Sequence, residues 1–256
     1  MNKLFVLANL SKERYFNSVR KCIEQLEKNG FVCQLPEDDY YKIYTKGYKK
    51  HFSIEECDYI TSLGGDGSFL IASKTALKYD KKIFGINLGH VGFLCRFKRN
   101  ETKSITPEFL STVSVNEKTV LEFTYNNEKH YAVNEVIVAK NNFGGTIELE
   151  AKCNDRIVSK FKADGLMLAT PVGSSGYNSS CGGPILNDDS RSFVMTAICP
   201  NNSSFRTEVF SDSDKYELIL IDNKYKASVY SDGQIIGEYN DEVVVKKSKK
   251  KIKIVK

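Results

Sequence analysis

Two architectures follow one another along this chain: a Rossmann-like α/β domain over 1–97 and an all-β, sandwich-like domain over 98–256. Three features predict this. Short apolar runs alternate with segments of helical period before residue 98, the pattern of a parallel sheet with helical crossovers. Two of those runs end in glycine-rich turns, the places where such sheets bind ligands. Beyond residue 98 the chain reads as strand after strand, separated by turn signals.

Residues 3–9 form a nearly continuous apolar strand. Ser11 is placed to cap a helix running to about Asn29. Tyr15, Val19, Cys22, Ile23 and Leu26 recur at helical spacing, and Asn29-Gly30 is the stop. A second strand covers 31–35, whereas 36–52 is polar, tyrosine-rich and without a clear element. A third strand at 59–63 leads into a helix at 68–79, and a fourth strand follows at 83–87. A short helix starts at Pro107. Strands are then expected at 118–125, 130–140, 146–153, 156–161, 165–170, 193–199, 216–222 and 225–231. Asn126-Asn127, Asn154-Asp155 and Asp222-Asn223 are the turn pairs between them. Residues 242–256 read as two short strands that join either the β domain or the first domain.

Composition removes several function classes. A hydrophobic content of 41% with 27% charged residues describes a globular chain, not a disordered one. The net charge is +5, but residues 246–256 alone hold seven lysines and no acid, so the remainder is slightly acidic. Basicity confined to one segment fits a lysine-guarded strand better than a nucleic-acid or membrane surface, and neither partner is expected. Seven cysteines without a C-x-x-C pair exclude a disulfide framework and a zinc site. The histidines at 51, 90 and 130 supply no ligand spacing, so no metal-ligand set is expected. The apolar run at 4–8 is too short for a secretory core or a span, and a cytoplasmic chain with reduced cysteines is expected.

Four segments carry chemistry. Gly64-Gly65-Asp66-Gly67-Ser68 follows a buried strand and opens a helix. Glycines allow close backbone approach, the helix start offers free N–H groups to a phosphate, and one carboxylate sits in the middle. The same residues also suit a plain βα turn with a capping aspartate. No Lys-Ser/Thr follows, so this is not a Walker A loop, nor is it G-x-G-x-x-G. Gly85 to Leu94 is a second glycine-rich strand end, carrying Gly89-His90-Val91-Gly92-Phe93, where Phe93 suits a base or the core. Asn134-Glu135 interrupts an apolar strand, marking a ligand contact or a bulge. Asp164 to Pro184 contains a loop dense in glycine and hydroxyls around one aromatic, Tyr177, which suits an adenosine pocket or a flexible loop.

In this order and spacing, from about Thr61 to Asp232-Gly233-Gln234, the segments resemble the NAD kinase family. The resemblance implies an α/β domain and a β-rich domain with the site at their junction. It implies that Asp66 is the carboxylate that orients or deprotonates the 2′-hydroxyl of the adenosine ribose of NAD. Gly64, Gly65, Gly67 and Ser68 would bind phosphate. Gly67, Phe93, Asn134, Glu135, Lys162, Asp164, Ser175, Gly176, Tyr177, Asn178, Ser180 and Gln234 would contact the substrates. NAD and ATP are the implied substrates, with Mg²⁺ accompanying the triphosphate, and a homo-oligomer, dimer or tetramer, is implied. The chain departs from the family pattern at Lys162 (commonly arginine), Ser175 (threonine), Gly176 (alanine) and Asn201 (frequently histidine). Lysine at 162 loses a bidentate fork. The rival readings are a lipid or sugar-phosphate kinase sharing only the first motif, a non-catalytic dinucleotide sensor, and a nucleic-acid module using the lysine tail.

Overall fold

Apolar strands with both faces covered build the first of two compact units, residues 1–117 with 252–256. The structure, a computed structural model, describes residues 2–11, 13–44, 46–89, 92–142, 144–201, 205, 207–222 and 224–255. His90 and Val91 of the second glycine-rich turn, Asn202 to Ser204, Arg206 and the turn residue Asn223 lie outside the described residues.

The first unit contains β1 (Asn2–Ala8), α1 (Phe16–Lys28), β2 (Phe31–Gln34), α2 (Glu37–Ile43), β3 (Tyr59–Gly64), α3 (Asp66–Tyr79), β4 (Lys82–Asn87), β5 (Phe97–Lys98) and α4 (Pro107–Thr112). The strands run parallel in the order β2-β1-β3-β4, and β5 pairs with the end of β4. Leu4, Val6, Leu63, Phe84 and Ile86 cluster with the buried stripe Val19, Cys22, Ile23 and Leu26 of α1. The other face takes α3, and Gly85 is needed there. A Cβ at Gly85 would lie 2.8 Å from Phe69 Cδ2 and 2.7 Å from Cys95 Sγ.

Three expectations change here. Ser11 does not cap α1: its N–H and Oγ both donate to Asn9 Oδ1, and a 3-10 turn at Glu13–Tyr15 precedes the helix. The local Asx turn after β1 captures the hydroxyl first. The unassigned stretch contains α2, whose first turn carries Glu37, Asp38 and Asp39, charges that favour a helix N-terminus. The helix after β3 starts at Asp66, with Gly65 at the cap.

The second unit, 118–251, is two stacked antiparallel sheets. Its strands are β6 (Val115–Tyr125), β7 (Glu128–Ala132), β8 (Glu135–Lys140), β9 (Ile147–Cys153), β10 (Arg156–Ala163), β11 (Gly165–Ala169), β12 (Ser192–Ile198), β13 (Glu208–Ser211), β14 (Lys215–Leu220), β15 (Ala227–Ser231), β16 (Gln234–Glu238) and β17 (Val243–Val255). One sheet has the order β10-β9-β14-β17, with β6 on β17 and β7 on β6; the other is β13-β12-β11-β8-β15-β16. Between them Phe123, Val136, Leu149, Leu166, Phe193, Tyr216 and Val229 form one core. Asn126-Asn127 and Asn154-Asp155 have positive φ and make the expected tight hairpins. Asp232-Gly233 makes a third, joining β15 to β16, a strand the sequence reading lacked, as it lacked β13.

The single expected strand at 130–140 is two, broken at Val133-Asn134. The expected pair of tail strands is one thirteen-residue strand, β17. No glycine, proline or asparagine interrupts it, and Ser248 at its middle is buried against Glu122. Its residues up to 251 belong to the β unit; beyond them Lys253 and Ile254 pair with Lys82 and Ile83 of β4. Among the described residues no helix is long and apolar enough to cross a membrane, and all seven cysteines are free.

Alternation along β9, β10 and β14 turns charges outward, where they form a ladder. Lys160 meets Glu150 at 2.6 Å, Lys152 bridges Glu150 and Glu217, and Lys215 lies 2.8 Å from Glu217 and 2.9 Å from Asp155. The hydrogen bond from Lys160 holds Glu150 below its ordinary 4.5, and that from Lys215 holds Asp155 below 3.8. A carboxylate depressed in the folded chain stabilises it above the ordinary value and loses that contribution as pH falls through the folded one. We therefore expect the melting temperature to hold near neutrality and to drop as pH is lowered from about 5 towards 3. A melting temperature unchanged over that interval would show the ladder to be energetically silent.

Candidate functional site

Both glycine-rich strand ends of the first unit lie at the carboxyl edge of its parallel sheet, where Gly64 pairs in register with Asn87. Leu88 donates to Gly64 O and Asn9 to Leu63 O, so three strand ends meet there. Gly64 is required by packing: a Cβ would fall 2.3 Å from Ser68 Oγ and 3.2 Å from Asn9 Cβ. Gly65 and Gly67 are not, because a Cβ at either would meet no atom within 4 Å. They leave open space on both sides of Asp66.

Asp66 does not serve as a helix cap. Its carboxylate accepts three consecutive backbone N–H groups from the second loop: Phe93 at 2.7 Å, Leu94 at 3.1 Å and Cys95 at 3.3 Å. Gly92 makes this possible, since a Cβ there would sit 2.9 Å from Asp66 Oδ1 and 2.5 Å from Asn87 Nδ2. Burial and the Asp66 carboxylate together push the Cys95 thiol up to about 12, so it stays protonated. Phe93, on the anchored loop, is 84% exposed and does not join the core.

The second unit holds a cavity of about 590 Å³. Its floor is the outer face of the sheet, through Ile137, Ala139, Ile198 and Tyr230. Glu135 shares that face with Ile137 and Ala139, while Val136 and Val138 point into the sandwich core. Asp164 and Tyr177 complete the wall, so residues from two separate sequence segments, 134–135 and 164–184, meet in one cavity. Lys140 was not marked by any motif, yet its Nζ lies 2.6 Å from Asp164 Oδ1 and donates to Gly145 O at 2.7 Å. Tyr177 is 47% exposed, and burial raises its phenol.

Asn134 lies at the strand break, beside the loop of Gly173 to Gly176. Its Oδ1 is buried and accepts no hydrogen bond among the described residues. Gly176 is within 3.6 Å of Asn134 Nδ2 by its would-be Cβ. A lone buried acceptor is costly and marks a place for a ligand donor.

Comparison with known families settles the lineage. The ATP-NAD kinase N-terminal domain matches residues 4–113, and the ATP-NAD kinase C-terminal domain matches 133–256. This chain belongs to the NAD kinase family. With that membership come the activity, NAD kinase, and the enzyme class, phosphotransferase. The NAD kinase of Lachnoclostridium phytofermentans is 30% identical over 273 residues, covering 100% of this chain and 94% of its own. That of Sulfurimonas denitrificans is 32% identical over 207 residues, 78% of this chain and 72% of its own. Two solved structures share the fold. The yeast NADH kinase complexed with NADH has TM-score 0.84 at 20% identity, covering 100% of this chain and 83% of that one. The Archaeoglobus fulgidus NAD kinase in complex with ATP has TM-score 0.78 at 24% identity, covering 99% and 93%.

Within this NAD kinase family chain the remaining marked residues separate. Asn178 is spent on its own loop: Nδ2 donates to Ser174 O and Pro184 O, and Oδ1 accepts from Thr196 Oγ1. Ser175 and Ser180 are exposed, and Ser175 Oγ donates to Val172 O. Lys162 is exposed on β10 and does not line the cavity, although its carbonyl accepts from Asn201. Gln234 opens β16 directly after Gly233, which does line it. Besides Lys140, the motif reading missed Tyr230 on β15, whose only signal was strand alternation, and Cys199, the residue after β12.

Proposed function

We propose that the cavity of the β unit binds NAD and that Asp66 acts on the adenosine ribose, aligning its 2′-hydroxyl for phosphoryl transfer from ATP. The meeting of Glu135, Asp164 and Tyr177 in one cavity of about 590 Å³ carries this reading. That volume suits part of a dinucleotide, and the lining combines apolar floor with a few polar groups, as small-molecule sites do. Tyr177 supplies a stacking face, and Asn134 and Glu135 supply polar contacts to the adenosine portion.

The phosphates of ATP are assigned to Gly64, Gly65, Gly67 and Ser68, where the open space at Gly65 and Gly67 and the start of α3 favour an anion. An ionised carboxylate has roughly four acceptor directions, of which Asp66 uses three on backbone N–H groups. The three fixed donors hold the carboxylate still. A ribose hydroxyl is a poor nucleophile, so a fixed acceptor that orients it is the contribution the protein must make. Mg²⁺ accompanying the triphosphate would supply neutralisation of the phosphate charge. In the same reading the protein works in the cytoplasm and assembles as a homo-oligomer, for which the exposed Ile235 and Val209 on the edge strands β16 and β13 are suitable surface.

The test is NADP formation from NAD, ATP and Mg²⁺, read through an NADP-specific dehydrogenase, with Gly67→Ala alongside. Alanine at a helical glycine is expected to stabilise the fold by up to about 1 kcal/mol. The same methyl intrudes on the substrate side and is expected to slow turnover about a hundredfold. A more stable variant with full activity would remove Gly67 from the site, and no NADP from the parent chain would overturn the reaction.

A further inference from the structure

Asp232 stands at the first position of the β15–β16 hairpin with φ of 50°. The two tight hairpins β6–β7 and β9–β10 begin with asparagine, at Asn126 and Asn154. Asparagine would serve the turn equally well, because either residue tolerates the left-handed region. The carboxylate therefore has another task. It is buried, and it accepts three consecutive backbone N–H groups: Val133 at 3.0 Å on Oδ2, and Asn134 at 2.7 Å and Glu135 at 3.3 Å on Oδ1. An amide in its place would turn an NH₂ group against one of these donors.

The carbonyl side of the same dipeptide is held as firmly. Thr170 donates its N–H to Asn134 O at 2.8 Å and its Oγ1 to Val133 O at 2.6 Å. Gly173 packs against this backbone so closely that a Cβ would fall 2.1 Å from Asn134 O. The backbone N–H and C=O groups of Val133 and Asn134 are thus all held from outside their own strand. The break leaves Glu135 on the cavity face, with Asn134 beside the Gly173–Gly176 loop.

We propose that Asp232 is a positioning residue for NAD: its carboxylate sets the Asn134-Glu135 backbone so that both side chains meet the dinucleotide. This rests on the reading that Asn134 and Glu135 contact NAD. It predicts that loss of the carboxylate weakens NAD while leaving ATP untouched.

Steady-state kinetics of Asp232→Asn and Asp232→Gly, with Glu135→Gln and Asn134→Ala as references, test it. Glycine accepts φ of 50° without strain, so the second variant removes the carboxylate and keeps the turn. Both Asp232 variants are expected to raise KM for NAD about tenfold or more, the size of a lost charge-assisted hydrogen bond, with KM for ATP within about twofold. Glu135→Gln combined with Asp232→Asn should cost less than the two singles together, since both act on one contact. If the references raise KM for NAD and the Asp232 variants only lower the melting temperature, the positioning role is overturned. If the references leave KM for NAD unchanged, the reading of Asn134 and Glu135 fails instead. If neither Asp232 variant folds, the carboxylate serves the stability of the β unit, and the proposal is overturned.

Discussion

Asp66→Asn is expected to lower kcat by about two to four orders of magnitude, the range for removing a positioned acid–base group. The structure adds a second effect. An amide offers one acceptor oxygen, and its NH₂ would confront a backbone N–H of Phe93, Leu94 or Cys95, all of which now reach the carboxylate. Leaving a donor unmet costs about 1–3 kcal/mol, so the variant should also melt earlier. The two effects can be separated with Gly92→Ala. Its Cβ would crowd Asp66 Oδ1 and Asn87 Nδ2 while the carboxylate stays in the chain. A loop disturbed in this way should lose stability comparable to Asp66→Asn but far less turnover. Equal losses of turnover would mean that Asp66 matters for anchoring the loop alone. Wild-type kcat in Asp66→Asn would remove it from the chemistry.

Gly173→Ala is expected to be the most damaging substitution of a single methyl. The new atom would sit 2.1 Å from Asn134 O, 2.5 Å from its carbonyl carbon and 2.6 Å from its Cα. These are backbone atoms held by Thr170 on one side and Asp232 on the other, so they cannot step aside cheaply. Overpacking of this kind costs about 1–3 kcal/mol, and more where the neighbours are fixed. We expect a melting temperature several degrees lower and KM for NAD raised about tenfold, because the atoms displaced belong to the residues assigned to NAD. Gly67→Ala is the counterpart: the same chemical change where no atom lies within 4 Å, with stability gained and turnover lost. A Gly173→Ala protein that melts and binds like the parent would show that the strand break is softer than its hydrogen bonds imply.

Much of this was legible along the chain because it depends on near neighbours. Buried stripes at helical spacing located α1 through Val19, Cys22, Ile23 and Leu26. Asn126-Asn127 and Asn154-Asp155 announced tight turns because few residue pairs accept positive φ. The glycine-rich strand ends and the Asn134-Glu135 interruption pointed to ligand chemistry, since polar groups and bare backbone in an apolar run need a reason.

Errors arose where a distant partner decided the outcome. Ser11 is the local exception: its Oγ donates to Asn9 Oδ1, two residues back, instead of accepting from a helix N–H. The final lysine-rich segment reads as two strands until Ser248 finds Glu122, 126 residues away, and the strand continues through it. The fold class, the order of the motifs and the family resemblance were thus determined by the sequence alone, because periodicity and turn chemistry act over a few residues. Only the tertiary structure decided that Asp232 grips a backbone 98 residues earlier, that Asp66 anchors a loop 27 to 29 residues later, and that Lys140 pairs with Asp164. A carboxylate and the N–H groups it gathers leave no shared pattern along the chain; they meet because the folded backbone aims the donors at one point.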